Sequence, residues 1–205
     1  MLESCLLSCK DVAVIRGARC LLSGLEWHLH GGELWQIQGD NGAGKTSLLR
    51  ALAGLAPQSI EGQLVVNSEF LFLGHKTGVK GDFTALENLK LQLGDGAHYQ
   101  TDRLRDALRQ VGLADYADEF AYRMSAGQQR RIALARLFLV DMPLWLLDEP
   151  LTAIDVDGVA LIEACIEDQV RRGGSVVYTS HQPLKLDLSS RTLYLPGKGQ
   201  SPHVA

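Results

Sequence analysis

The 205-residue sequence predicts an α/β fold: a parallel-sheet core with an antiparallel β-rich part and a helical insertion. Three observations predict it. Leu144-Trp145-Leu146-Leu147 and Ser175-Val176-Val177-Tyr178-Thr179 are nearly continuous apolar runs, the pattern of parallel strands buried on both faces. Between them, residues 158–171 carry Val159, Ile162, Ile166 and Val170 on one side of a helix. Residues 34–38 read as another strand, followed by a glycine-rich turn and a helix from Thr46 to Ala53 that Gly54 ends.

The remaining elements follow from shorter signals. Val12-Ala13-Val14-Ile15 is β-like, and Leu25-Glu26-Trp27-His28-Leu29 alternates apolar and polar residues as a half-buried strand does. That alternation puts His28 and His30 on one solvent-facing side, a solvated face rather than a ligand site. Gln63 to Val66 and Phe70 to Leu73 return to strand character. From residue 84 to about 140 the chain reads as helical, opening on the capping box Thr84-x-x-Glu87. Leu104, Leu108 and Val111 share a helical face with Ala107 beside them, and Gly112 is the stop. One domain is expected, with a β-rich and core lobe at about 1–75 and 140–205 and a helical subdomain at about 84–140.

Composition narrows the class. Apolar residues make up 46% of the chain, enough for a sizeable core, and the formal net charge is −4 with scattered Lys and Arg. That distribution argues against a nucleic-acid partner. The longest apolar stretch, Leu134 to Trp145, is interrupted by Arg136, Asp141 and Pro143, so it cannot span a bilayer that needs roughly 20 apolar residues. Met1-Leu2-Glu3-Ser4 has no basic region before an apolar run, so no signal peptide is expected. A cytosolic chain that reaches any membrane through a partner is the expectation. The cysteines (Cys5, Cys9, Cys20 and Cys165) suit a reducing compartment, and the Cys5-x3-Cys9 spacing is not that of a zinc site.

Gly39-Asp40-Asn41-Gly42-Ala43-Gly44-Lys45-Thr46 matches the phosphate-loop pattern G-x4-G-K-[ST] in full, between a strand and a helix. Its glycines let successive backbone N–H groups face phosphate oxygens, helped by the positive end of the following helix. Lys45 supplies a cation for the β- and γ-phosphates, and the Thr46 hydroxyl is a ligand for Mg²⁺. A nucleoside triphosphate is therefore the expected ligand.

Asp148 and Glu149 end a buried apolar strand, on the side of a parallel sheet where ligands bind. Asp148 is expected to hold the Mg²⁺ shell, directly or through a water. Glu149 is expected to accept a proton from the attacking water. His181, just past the next strand, is placed to reach the γ-phosphate and that water. Ser125-Ala126-Gly127-Gln128 opens a helix with a capping box, and the same N–H groups and hydroxyl suit an anion. That segment is expected to lie far from the phosphate loop of its own chain, so the anion would be ATP held by a second copy.

From about residue 10 to 195 these motifs, in this order, resemble the ATP-binding-cassette family: phosphate loop, signature (Ser125 to Gln129), Asp148-Glu149 strand, the loop Thr152-Ala153-Ile154-Asp155, and switch His181. The resemblance implies a P-loop ATPase with ATP and Mg²⁺, and a head-to-tail dimer that sandwiches two ATP molecules. It implies integral membrane permease subunits as partners, at the cytoplasmic side of a bacterial inner membrane, and a role for Asp155 in coupling the two sites. Three positions depart from the family pattern. Ala126 replaces a glycine of the signature. Arg16 replaces the adenine-stacking aromatic, where a guanidinium plane can still stack on a base. His75 replaces the glutamine that contacts Mg²⁺ and the membrane subunit, and it adds a group that can gain a proton. Within the family, Leu73-Gly74-His75-x-x-Gly78-Val79-Lys80, the signature run from Ser125 to Arg131, and Thr152 to Gly158 look like the ATP-binding subunits of the bacterial cytochrome c maturation haem exporters. A cassette ATPase for another cargo, or one without a transport role, remains the alternative.

Overall fold

The computed structural model describes residues 5–94, 99–180, 184–196 and 202–204. β1 (Cys5–Arg16) and β2 (Arg19–His30) form an antiparallel hairpin, and β4 (Ile60–Val66) pairs antiparallel with the other edge of β1. Leu25, Trp27 and Leu29 of β2 are buried while Glu26 and His28 are exposed, which is the alternation the sequence carries. His30, expected on the solvent side with His28, is half-buried at the end of β2, where its carbonyl accepts a 2.7 Å hydrogen bond from Ser175 Oγ. β1 is longer than the expected 12–15 run. Asp11 sits at φ 50 within it, and the register shifts between Cys9 and Val12, so no single period runs its length.

The core sheet has strand order β5-β6-β7-β3-β8-β9. β3 (Leu34–Gln38), β5 (Phe70–Leu73), β6 (Leu144–Asp148), β7 (Ser175–Thr179) and β8 (Arg191–Tyr194) are parallel, and the two-residue β9 (His203–Val204) pairs antiparallel with β8. Every residue of β6 and β7 is buried, so both strands can be apolar along their whole length. α1 (Lys45–Leu52) follows β3, and its buried Leu48, Leu49, Ala51 and Leu52 join Leu7, Trp27, Ile37, Leu144, Leu146 and Val177 in one core. Trp27 and Trp35 meet edge to face there, with ring centroids 5.3 Å apart.

The chain forms two compact units. The first comprises Met1–His75, Met142–Pro150 and Ile166–Ala205 and holds both sheets; the second comprises Lys76–Asp141 and Leu151–Cys165. The second unit contains α2 (Ala85–Leu93), α3 (Thr101–Gln110) and α4 (Ala126–Leu134) as distinct helices rather than one helical stretch, with short 3-10 turns between α3 and α4. α5 (Val156–Arg171) is divided between the units. Thr84 and Glu87 make the full capping box at the start of α2, and Leu104, Ala107, Leu108 and Val111 are buried.

The second unit takes in Leu151–Cys165, beyond the range about 84–140 read for the helical part, and side chains explain why. Arg131 of α4 donates to the Val111 carbonyl at 3.1 Å and to Asp155, which ties the loop before α5 to the signature helix. A Cβ on Gly127 would lie 2.8 Å from the Ala153 carbonyl, so that loop also packs against the first turn of α4.

Candidate nucleotide site

Between β3 and α1, backbone geometry dictates the glycines. Gly39 has φ 146, and a Cβ there would fall 2.4 Å from the Leu195 carbonyl oxygen, so no larger residue fits without backbone movement. Gly44 has φ 106 and stands at the N-cap of α1 with no side-chain cap. The first amides of α1 thus open on the loop, together with the positive end of the helix. The Lys45 ammonium lies against the loop itself, 2.6 Å from the Gly39 carbonyl and 3.1 Å from that of Asp40. Asp40, Asn41 and Gly42 complete the turn, which the Ala43 N–H closes onto the Asp40 carbonyl at 3.1 Å.

At the carboxyl end of β6 the structure brings together the residues read from sequence for metal and proton chemistry. The Thr46 hydroxyl donates to Asp148 Oδ1 at 3.0 Å, across 102 residues of sequence. Asp148 is buried, 1% exposed, and its Oδ1 also accepts from the Thr179 hydroxyl at 2.8 Å. Buried charge is costly unless hydrogen-bonded, and both hydroxyls converge on the one oxygen Oδ1. An alcohol oxygen and a carboxylate side by side form a hard-oxygen donor set of the kind Mg²⁺ takes, and the site fits that ion.

Glu149 follows at φ 49, a left-handed conformation that costs a non-glycine residue about 1–3 kcal/mol and collects at functional sites. Its N–H donates to Thr179 Oγ1 at 2.9 Å. His75 Nδ1 lies 3.9 Å from Glu149 Oε2, so the departure at position 75 stands beside the acid. Thr179 was legible in the sequence only as the end of an apolar strand. The one available signal was a hydroxyl closing a run otherwise suited to burial on both faces.

Arg16 ends β1 and lines a cavity of about 420 Å³ with Thr46, Ser47 and Arg50, a size that admits a small ligand. His181 lies outside the described residues. Cys9 is buried, and burial pushes its thiol up to about 12, so it is inert at neutral pH.

In the second unit, Ser125 caps α4: its hydroxyl accepts from the Gln128 N–H at 3.2 Å, and the Gln128 side chain accepts from the Ser125 N–H at 2.9 Å. Ala126 opens the helix and leaves the first-turn amides in place. Asp155 accepts from the Gly158 N–H at 3.0 Å and from Arg131. The Gly158 amide, joined by the Arg131 charge, holds the Asp155 carboxyl below the usual carboxylate range. Both its oxygens therefore have partners within their own unit, a role for Asp155 that sequence reasoning did not assign. Arg131 was likewise read only as part of the signature helix.

A phosphate loop entering α1, a buried aspartate on its threonine and an acid at the next position define a P-loop nucleotide-hydrolysing protein. The protein-family model for the ABC transporter family matches residues 22–152, and the chain belongs to that family. Among curated proteins it is similar to the cytochrome c biogenesis ATP-binding export protein CcmA of Vibrio cholerae, 44% identical over 89% of this chain and 94% of the relative. The protein of the same name from Aliivibrio fischeri is 45% identical over 89% and 95%. Among solved structures, a dimeric ATP-binding cassette in a post-hydrolysis state with ADP and phosphate superposes with a TM-score of 0.79. At 21% identity over 96% of this chain and 97% of that one, it shares the fold.

Proposed function

We propose that the chain is the ATP-hydrolysing subunit of a membrane exporter in cytochrome c biogenesis, coupling hydrolysis to haem export and delivery to a periplasmic haem chaperone. The observation that carries the ATPase part is the meeting of Thr46, Asp148 and Glu149 beside the phosphate loop. The pathway, cytochrome c biogenesis, follows the relatives' printed name, and haem as the cargo follows the resemblance at residues 73–80, 125–131 and 152–158.

In this reading residues 39–46 wrap the phosphates, and Lys45 neutralises charge on the β- and γ-oxygens. Thr46 and Asp148 would hold Mg²⁺, which supplies charge stabilisation for the transferred phosphoryl group. Glu149 takes a proton from water as the water oxygen bonds to the γ-phosphorus and the bond to the ADP oxygen breaks. His181 contacts the γ-phosphate. Arg16 stacks on the base from the cavity it lines with Ser47 and Arg50.

Two copies pair head to tail, so that Ser125, Ala126, Gly127 and Gln128 of one copy face ATP on the other, with Asp155 positioned beside them. ATP closes the dimer, and loss of the γ-phosphate contacts opens it. The pair sits peripherally on the cytoplasmic side of the inner membrane, held by integral permease subunits that dock near His75 to Asp82. Among the described residues, no helix is long and apolar enough to cross a membrane.

Gene deletion in the native host tests the cargo. Holo-cytochrome c is expected to disappear and to return with the wild-type chain but not with Glu149→Gln. Normal haem staining of c-type cytochromes in the deletion strain would refute the haem assignment while leaving the ATPase untouched.

A further inference from the structure

Thr179 pairs with Asp148 in the parallel register of β6 and β7. Just beyond that pair, β6 ends and the backbone turns into the left-handed conformation of Glu149. The Thr179 hydroxyl meets it there. It accepts from the Glu149 N–H at 2.9 Å and donates to Asp148 Oδ1 at 2.8 Å. The residue is fully buried, 0% exposed, so water does not compete for either bond.

The polarity of the two bonds is determined. An amide N–H can only donate and a carboxylate can only accept, so the hydroxyl proton must point at Asp148 and a lone pair at Glu149. One side chain thus joins the backbone of the proposed proton acceptor to the side chain of the proposed Mg²⁺ ligand. We infer that Thr179 is a positioning residue: its hydroxyl holds the strained backbone at Glu149 and so aims the carboxylate at the attacking water. The inference rests on the proposed role of Glu149. A left-handed Glu149 needs an external restraint because the conformation is intrinsically unfavourable. Small misplacements of a proton acceptor lower turnover without changing how substrate is gripped.

The test is steady-state ATPase kinetics on Thr179→Val and Thr179→Ser. Valine keeps the shape and removes the hydroxyl. It is expected to lower kcat about tenfold with KM for ATP within about twofold of wild type. Serine keeps the hydroxyl and is expected to recover kcat to within about twofold. Should the valine chain not fold, Thr179→Cys, close in volume and a weak hydrogen-bonder, is expected to show the same kcat loss.

Wild-type kcat in Thr179→Val or, failing that, in Thr179→Cys overturns the inference. So does a serine variant as slow as the valine one, since the methyl packing would then matter. Restoration of the valine variant by excess Mg²⁺ would move the effect to Asp148 and overturn it too. Glu149→Gln, assayed beside them, separates the two readings. If it turns over ATP normally, the role of Glu149 has failed; if it is inactive while Thr179→Val is normal, only the positioning role has failed.

Discussion

Glu149→Gln is expected to lower ATP turnover roughly a thousandfold while ATP still binds, as loss of a general base does. The amide has the shape of the carboxylate and leaves intact the backbone bond to Thr179, made by the Glu149 N–H rather than its side chain. Buried Asp148 and the phosphate loop keep their contacts, so the nucleotide site itself stands. What is lost is a group that can take a proton from water. An ATP-loaded pair of copies that cannot hydrolyse should stay closed, and size-exclusion chromatography with ATP is expected to show a long-lived dimer. Single-turnover assays then separate chemistry from release. Wild-type turnover would remove Glu149 from the reaction.

Gly127→Asp is expected to abolish turnover, by at least about a hundredfold, without weakening ATP binding to the isolated phosphate loop. Two effects combine. A Cβ at 127 would come 2.8 Å from the Ala153 carbonyl, so the loop at 152–155 has to shift. The added carboxylate also brings negative charge to the helix start proposed to meet phosphate, where like charges repel. The same charge favours a helix N-terminus, so α4 itself should survive. Equilibrium binding of a fluorescent ATP analogue, compared with phosphate release, separates the two properties. Loss of binding along with turnover would mean that Gly127 supports the fold rather than the signature contact. Gly127→Ala, which brings the steric part alone, is expected to fall between that variant and wild type.

Much of the core was legible because its signals are local. A strand, a glycine-rich turn and a helix contiguous at 34–53 carry the phosphate loop, and both capping boxes are spaced by three residues. The buried strands at 144–148 and 175–179 announce themselves by composition. Contacts between distant residues were not legible. Arg131 and Asp155 lie 24 residues apart, and nothing in either segment marks the other as its partner. The Thr179 hydroxyl closes an apolar strand, where a pattern of hydrophobicity has no means of reporting a hydrogen bond 31 residues away. β1 was read too short because the bulge at Asp11 breaks the period of two. His75 was legible as a departure at a known place, but its approach to Glu149 needed coordinates.

The composite site is tested most directly by a disulfide between copies. With exposed Cys20 replaced by serine, cysteines are introduced at Asn41 in one chain and Ala126 in another, and the mixture is oxidised with and without ATP and Mg²⁺. The account predicts a cross-linked dimer that forms with nucleotide, needs both new cysteines, and is enriched by Glu149→Gln. Absence of that cross-link under every nucleotide condition would contradict it.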